Sequence, residues 1–274
     1  MKLAATTLGC PDWDFEKILT QFEKMGLDGM EIRGLEGEMD ADKISYFLPE
    51  NAEDTLRRLA EHHVKLAGFG ASCNFHNADQ YDDAILQGKR SVDVCGRMQI
   101  PFIRVFGDQF PEGSSREEVI ARVIRGLREL CAYGEPKNVE VYLEIHGHFN
   151  TTEVLEPILK EMKDVQNFGI LWDIEHSDRA YGDNVESFYR LIQPFIRHVH
   201  MKDYLRATES EPFRLCLVGE GEIPIPTLVS WLKRDGYTGY RSLEWEKKWH
   251  PELPDPDVAL PVYRDLMRRL DQEA

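Results

Sequence analysis

The feature that most constrains this chain is an alternation of short apolar segments with amphipathic segments, which continues along its whole length. Eight apolar segments have the length expected of β-strands, and they cover residues 3–8, 29–33, 65–71, 102–107, 140–145, 168–173, 196–200 and 240–244. Eight segments have the apolar period of α-helices, and they run over Phe15–Met25, Ala52–His63, Ala84–Met98, Arg116–Tyr133, Glu153–Met162, Val185–Ile192, Pro226–Lys233 and Asp257–Leu270.

Strands that alternate with helices pair in parallel, because each helix carries the chain back to the start of the next strand. Eight such units in 274 residues give about 34 residues per unit, which is normal for a closed barrel. We therefore predict an α/β fold, a single (β/α)₈ TIM barrel that forms one catalytic domain over residues 1–274. An open doubly wound sheet is the alternative, which is weakened because no GxGxxG motif or phosphate loop follows an early strand.

Charge, hydropathy and cysteine spacing argue against several kinds of partner and of structural site. The chain has 49 acidic and 33 basic residues, and its net charge of −16 repels nucleic acids and anionic membranes. No apolar run approaches the roughly 18 residues of a membrane span, and the first residues lack the apolar core of a signal peptide. The five cysteines are scattered and form no CxxC pair, so we expect neither a disulfide framework nor a thiolate zinc site. Together these features predict a cytoplasmic protein.

Long connections follow the second, third, sixth and seventh predicted strands, whereas helix-to-strand connections are short. In a TIM barrel the long connections gather at the carboxyl-terminal end of the strands, where the active sites of this fold lie.

Four predicted strands end in a polar residue at this mouth: Glu144, Asp173, His200 and Glu244. Alternate side chains of a barrel strand point inward, so four such residues on consecutive strands can converge. Three carboxylates and one imidazole suit one divalent metal ion, Mn²⁺, Mg²⁺, Co²⁺ or Zn²⁺. The alternative is that each residue is a separate strand-end charge that caps a helix or pairs with Arg104 or Arg197.

Five of the nine histidines fall within residues 146–200, around the predicted mouth. His198 lies one layer below His200 on the same strand face, so it either supports that ligand or is a core histidine. His176 lies on the predicted loop after Asp173, where it either reaches substrate or metal or is a surface residue.

With these motifs, and with a closing segment VGEGEIPIPTLVSWLKRDGYTGYRSLEWE at residues 218–246, the sequence resembles the xylose isomerase-like TIM barrels. This superfamily of sugar phosphate isomerases and epimerases includes ketose 3-epimerases and inosose dehydratases. The resemblance covers essentially the whole chain. It implies that the four strand-end residues are metal ligands, that His176 and Arg206 contact substrate oxygens, and that Glu31 lines the pocket. Related apurinic-site endonucleases need an Asp-x-His pair after the seventh strand, which this chain lacks.

The residues at the mouth predict proton transfer next to a carbonyl group. A bound cation can stabilise the enediolate that forms when a carboxylate removes a proton from an α-hydroxy carbonyl compound. We expect Glu144 and Glu244 to be the two bases of an isomerase or epimerase that acts on a ketose or cyclitol. The alternatives are a dehydratase of an inosose or similar keto-cyclitol, and a non-catalytic sugar-binding barrel.

Two further residues complete the predicted substrate-binding set. His146 lies two residues beyond Glu144 on the same face. Lys202 either donates a hydrogen bond or a proton to substrate or pairs with Asp203; a Schiff-base role would require a desolvated amine. The expected partner is a small-molecule sugar or cyclitol. The sequence does not determine the oligomeric state, so a homo-oligomer stays open.

Overall fold

Eight parallel β-strands form a closed barrel in the computed structural model, which describes residues 1–273. The barrel order is β1-β10-β7-β6-β5-β4-β3-β2, and β2 pairs with β1 to close it. The barrel strands are β1 (Lys2–Thr6), β2 (Gly29–Ile32), β3 (Lys65–Asn74), β4 (Phe102–Phe106), β5 (Glu140–Glu144), β6 (Phe168–Asp173), β7 (Ile196–Met201) and β10 (Tyr240–Leu243). The predicted (β/α)₈ TIM barrel is confirmed.

Nine α-helices lie in the described residues, one more than the sequence predicted. They are α1 (Phe15–Met25), α2 (Ala52–Glu61), α3 (Tyr81–Met98), α4 (Arg116–Gly134), α5 (Thr152–Met162), α6 (Ile174–Tyr181), α7 (Val185–Ile192), α8 (Ile225–Arg234) and α9 (Pro256–Gln272). The additional helix is α6, so His176 lies on a helix rather than on the predicted loop. Asp173 caps this helix, because its Oδ1 accepts hydrogen bonds from the backbone amides of Glu175 and His176.

The connections after the strands also differ in part from the prediction. The connections after β2 and β7 are long and span residues 33–51 and 202–224. The second of them contains a small antiparallel hairpin, β8 (Tyr204–Leu205) with β9 (Arg214–Leu215), which the sequence did not predict. The connection after β3 is only residues 75–80, and α6 follows β6 directly, so the expectation of long loops at these two places was wrong.

The middle of the barrel is packed with side chains. Phe102, Tyr142 and Leu171 form a buried cluster of their own, and the rings of Phe102 and Tyr142 stack at 4.1 Å. A Cβ atom at Gly68 would lie 2.1 Å from the Phe102 ring, so only glycine fits there. This apolar layer closes the barrel from below and leaves the polar residues two positions further along these strands at the mouth.

Among the residues described, no helix has the length and apolar character needed to cross a membrane.

Candidate active site

Four polar side chains lie where β5, β6, β7 and β10 end. Glu144 and Asp173 are the last residues of β5 and β6, His200 is the penultimate residue of β7, and Glu244 directly follows β10. Asp173 and His200 are neighbours in the parallel ladder. All four side chains are buried, with exposed fractions of 0 to 6%. The structure thus brings together the four residues that the sequence predicted as metal ligands.

The donor atoms of these residues converge. Ligand atoms from all four lie within 4.8 Å of one another. His200 Nδ1 lies 3.2 Å from Glu244 Oε2, 3.6 Å from Glu144 Oε1 and 3.9 Å from Asp173 Oδ2. Within residues 1–273, one buried atom of each residue has no hydrogen-bond partner: Glu144 Oε2, Asp173 Oδ2, His200 Nδ1 and Glu244 Oε2.

Buried polar atoms without partners are costly, and a cation that binds them removes that cost. Three carboxylates and one neutral imidazole are donors that divalent ions such as Mn²⁺, Mg²⁺, Co²⁺ and Zn²⁺ accept. The donor set therefore fits a divalent metal ion.

The alternative pairings considered from the sequence are present in part. Arg104 Nε lies 2.9 Å from Glu144 Oε2, although the two groups do not have hydrogen-bond geometry. Asp173 caps α6 through Oδ1, whereas its Oδ2 lies 3.0 Å from Lys202 Nζ without hydrogen-bond geometry. Arg197 donates instead to the carbonyl oxygens of Pro194 and Ile196. These contacts coexist with the converging donors and do not replace them.

Glu31 lies beneath the four residues rather than in the open pocket, where the resemblance placed it. Its two carboxylate oxygens accept hydrogen bonds from His198 Nε2 and His200 Nε2, both at 2.8 Å. The carboxylate is 1% exposed and both of its oxygens are engaged, so it is not positioned to contact a substrate. Burial raises the pKa of Glu31, but the two histidines outweigh it and hold this pKa well below 4.5.

An ionised Glu31 fixes the tautomer of His200. A carboxylate only accepts hydrogen bonds, so the proton of a neutral His200 is held on Nε2. Burial lowers the pKa of His200, but Glu244 and Glu31 raise it well above 6.5, so without a cation Nδ1 also carries a proton. A cation that displaces this proton would meet the Nδ1 lone pair, which faces Glu144, Asp173 and Glu244. A carboxylate behind a histidine is the arrangement that orients metal-binding imidazoles in proteins. His198 supports this arrangement from the layer below.

The carboxylates at the centre are held in their ionised form. Burial raises the pKa of Glu144, but Arg104 and His200 lower it to about 2. Burial likewise opposes ionisation of Glu244, and His200 and Lys202 hold its pKa well below 4.5. The centre is thus strongly charged although it is buried.

Lys202 faces the same centre and does not pair with Asp203. Its Nζ lies 2.5 Å from Glu244 Oε2, 3.0 Å from Asp173 Oδ2 and 2.8 Å from Glu246 Oε1. Burial lowers the pKa of Lys202, but the carboxylates raise it well above 10.5, so the side chain is an ammonium group. Asp203 is engaged elsewhere, because it accepts hydrogen bonds from backbone amides of residues 204, 219, 221 and 223.

Two histidines border the mouth above Glu144. The rings of His146 and His176 meet edge to face at 4.5 Å. His146 Nδ1 lies 3.2 Å from Asp108 Oδ1, and about a third of the His146 side chain is exposed. Both histidines are thus placed where a substrate above the four buried residues can contact them.

Arg206 is not brought to the centre. Its Nη2 donates to Asp178 Oδ2 at 2.8 Å, and its Nε lies 3.6 Å from Glu222 Oε2. These partners lie on α6 and in the connection after β7, at the flank of the mouth. The structure therefore ties the predicted substrate contact of Arg206 to neighbouring acids.

Sequence reasoning missed three residues that surround the centre, and it considered a fourth, Arg33, only as a base that could bind a phosphate group of the substrate. Glu246 and Glu175 pair with Lys202, Asp108 pairs with His146, and Arg33 extends from the end of β2. The signal for Arg33 was its place two residues beyond Glu31 in the EIR segment, which puts it on the inward face. Glu175 lies on the short helix α6, and Asp108 and Glu246 lie in connections, so period-two alternation carries no information for any of the three.

A family model described as xylose isomerase-like TIM barrel matches residues 19–270. The chain belongs to this family. The resemblance recognised in the sequence is therefore confirmed for nearly the whole chain. A search of curated proteins finds no match to this xylose isomerase-like barrel.

Three solved structures illustrate the shared fold. The IOLI protein, solved with a bound zinc atom, is 21% identical, with a TM-score of 0.79 over 98% of each chain. The probable 3-DHS dehydratase AsbF of Bacillus anthracis, involved in petrobactin synthesis, is 17% identical, with a TM-score of 0.78 over 98% of this chain and 99% of its own. D-psicose 3-epimerase, solved in the presence of D-fructose, is 15% identical, with a TM-score of 0.75 over 98% of this chain and 97% of its own. At these identities the likeness shows a shared fold and nothing about activity.

Proposed function

We propose that this xylose isomerase-like barrel is a divalent-metal-dependent isomerase or epimerase of a ketose, a cyclitol or a related α-hydroxy carbonyl compound. The observation that carries the proposal is the convergence of four buried donor atoms without hydrogen-bond partners, from Glu144, Asp173, His200 and Glu244. The same four residues are the ligand set that the family resemblance implied, and a zinc atom is bound in the structure of the similar IOLI protein.

The four residues would hold the cation, which when bound supplies Lewis-acid polarisation of a carbonyl group. Glu144 and Glu244 would act as the two bases. β6 and β7 separate β5 from β10 in the barrel, so these carboxylates approach the centre from different sides. The lowered pKa of both groups keeps them ionised at neutral pH, as a base must be.

In the proposed reaction one glutamate takes the proton from the carbon next to the carbonyl group. The other glutamate, once it has taken up a proton from the solvent, returns that proton to the opposite face of the carbon, which gives the epimer. Return of a proton to the neighbouring carbon, with transfer of the hydroxyl proton, gives the aldose or ketose isomer.

Dehydration of an inosose or similar keto-cyclitol is the second candidate. It shares the first step, but the β-hydroxyl group must then leave as water, which requires a separate acid. The pair of His146 and Asp108, 3.2 Å apart at the mouth, is the observation that favours this candidate. Lys202 does not favour Schiff-base chemistry, because three carboxylates surround its ammonium group.

The test combines metal analysis with solvent-proton exchange. The purified protein is expected to bind one divalent ion per chain and to wash deuterium into the carbon next to the carbonyl group of some member of a ketose and inosose panel. Glu144→Gln should lower this exchange by about a hundredfold or more, since a positioned base contributes that much. Glu50→Gln, the same change at an exposed position, is the control.

Each outcome assigns the chemistry. Ultraviolet absorbance from a conjugated or diketone product would identify the dehydratase. Binding of metal and of a panel compound without exchange would identify a sugar-binding barrel. Full exchange by Glu144→Gln would exclude the two-base mechanism, and activity that survives complete chelation would exclude the metal.

A further inference from the structure

Two arginines lie at the mouth on the side of β2 and β4. Arg104 lies on β4 and is 2% exposed, and Arg33 directly follows β2 and is mostly buried. Arg33 Nη1 and Arg104 Nη1 are buried, and neither has a hydrogen-bond partner among residues 1–273. Unpaired guanidinium groups in the interior are costly, because they have lost water without gaining an acceptor.

The two side chains lie against the same glycine. A Cβ atom at Gly70 would be 2.7 Å from Arg104 Nη2 and 2.7 Å from Arg33 Cδ. Burial, and then the charge of Arg104, lower the pKa of Arg33 to about 10 against the attraction of Glu244 and Glu144. Two like charges are thus held close together, and both side chains occupy space that a larger residue at position 70 would take.

The carboxylates near these arginines leave one N–H group of each guanidinium without an acceptor. Arg104 contacts Glu144 through Nε, whereas its Nη1 remains without a partner. In the proposed function Glu144 and Glu244 also neutralise the divalent cation. Two buried N–H donors, one from each arginine, are therefore left without an acceptor on this side of the mouth.

We propose that Arg33 and Arg104 bind a carboxylate group of the substrate, so that this enzyme acts on an α-hydroxy keto acid rather than on a neutral sugar. The inference rests on the proposed function, because it adds an anion subsite beside the same cation. A planar carboxylate offers two oxygens to donors from two guanidinium groups, so it can satisfy both unpartnered Nη1 groups.

The test compares three probes with one metal-binding head, measured by calorimetry on the Mn²⁺-loaded protein. Acetohydroxamate carries a neutral methyl group, N-hydroxyoxamate a carboxylate and phosphonoacetohydroxamate a phosphonate. We expect N-hydroxyoxamate to bind about tenfold or more tightly than acetohydroxamate, since hydrogen bonds between charged groups are the strong ones. Arg33→Gln should remove most of this preference and leave the affinity for acetohydroxamate within about threefold.

Matched variants separate the subsite from general damage. Arg104→Gln should also remove the preference, whereas Arg190→Gln, at an exposed arginine of α7 that pairs with Glu186, should keep it. Oxamate and acetamide, which lack the hydroxamate head, repeat the comparison on metal-free protein. Failure of the metal site therefore shows as loss of acetohydroxamate binding, while the arginines are still tested by oxamate.

Three results would overturn the inference. Equal binding of N-hydroxyoxamate and acetohydroxamate by the unmodified protein would show that there is no anion subsite. A preference that survives Arg33→Gln would show that the carboxylate binds the metal and not the arginines. Tightest binding of phosphonoacetohydroxamate would assign the subsite to a phosphorylated substrate instead.

Discussion

The hydrogen bonds of Glu31 allow a quantitative test of how the candidate cation site is oriented. Glu31→Gln keeps the shape of the side chain but replaces one acceptor oxygen with an NH₂ donor. The two histidine Nε2–H groups then compete for one amide oxygen, and one of them faces a donor. If that histidine is His200, its proton moves to Nδ1, the atom that faces Glu144, Asp173 and Glu244.

The size of the effect follows from the contacts. Both Nε2 atoms lie 2.8 Å from a charged oxygen, and hydrogen bonds to charged acceptors are roughly twice as strong as neutral ones. Loss of the charge should therefore cost about 1 kcal/mol for each histidine. Carboxylates behind metal-binding histidines are typically worth about 10- to 100-fold in metal affinity. We expect Glu31→Gln to weaken Mn²⁺ or Zn²⁺ binding by that factor.

The assay is metal titration by calorimetry, together with ¹⁵N chemical shifts of the imidazoles, which report the tautomer of His200 directly. Glu50→Gln again serves as the exposed control. The reasoning fails if Glu31→Gln binds metal within about threefold of the unmodified protein while the His200 shifts still change. It also fails if the unmodified protein carries the His200 proton on Nδ1 when metal is bound.

Three other predictions follow from the packing and charge of the described residues. Lys202→Gln should tighten metal binding by about tenfold in a calorimetric titration, because it removes an ammonium group that lies 2.5 and 3.0 Å from two candidate ligand oxygens. Weaker metal binding by this variant would mean that Lys202 positions those oxygens instead. Gly68→Ala should lower the free energy of unfolding in urea by about 1–3 kcal/mol, because the new Cβ atom would clash with the Phe102 ring. Adding Phe102→Ala should remove this clash, and an unchanged urea midpoint for Gly68→Ala alone would contradict the packed barrel interior. The five thiols should react with Ellman's reagent only when the protein unfolds, because all five are buried. Burial raises the pKa of Cys73, Cys131 and Cys216 to about 12, which reduces their thiolate fraction at pH 8 by about a thousandfold relative to an ordinary thiol. Rapid reaction of the native protein would contradict this expectation.

The barrel was predictable because its signal is repeated and long. Each strand is an apolar run and each large helix has a clear apolar face, so the count of eight units was enough. The helix α6 was missed because it is short and polar, and because it begins at a capping residue that belongs to the preceding strand. The hairpin of β8 and β9 was missed because two residues per strand carry no period.

The four converging residues were predictable for a related reason. Each ends an apolar strand on the inward face, so the periodicity of the strand determines its direction. The hydrogen bonds of Glu31 with His198 and His200 were not predictable, because these residues lie 167 and 169 positions further along the chain. Arg206 shows the opposite error, since the resemblance gave its position in the chain but not the acids beside it.

The closure of the barrel has a consequence for how the protein is made. β10 lies between β7 and β1 and pairs with both, and Glu244 comes directly after it. Until β10 has left the ribosome, the nascent sheet has two open edges that can pair with strands of neighbouring chains. The unfinished polypeptide also lacks Glu244, the last of the four candidate metal ligands. One late step of synthesis therefore seals the sheet against aggregation and completes the site at the same time.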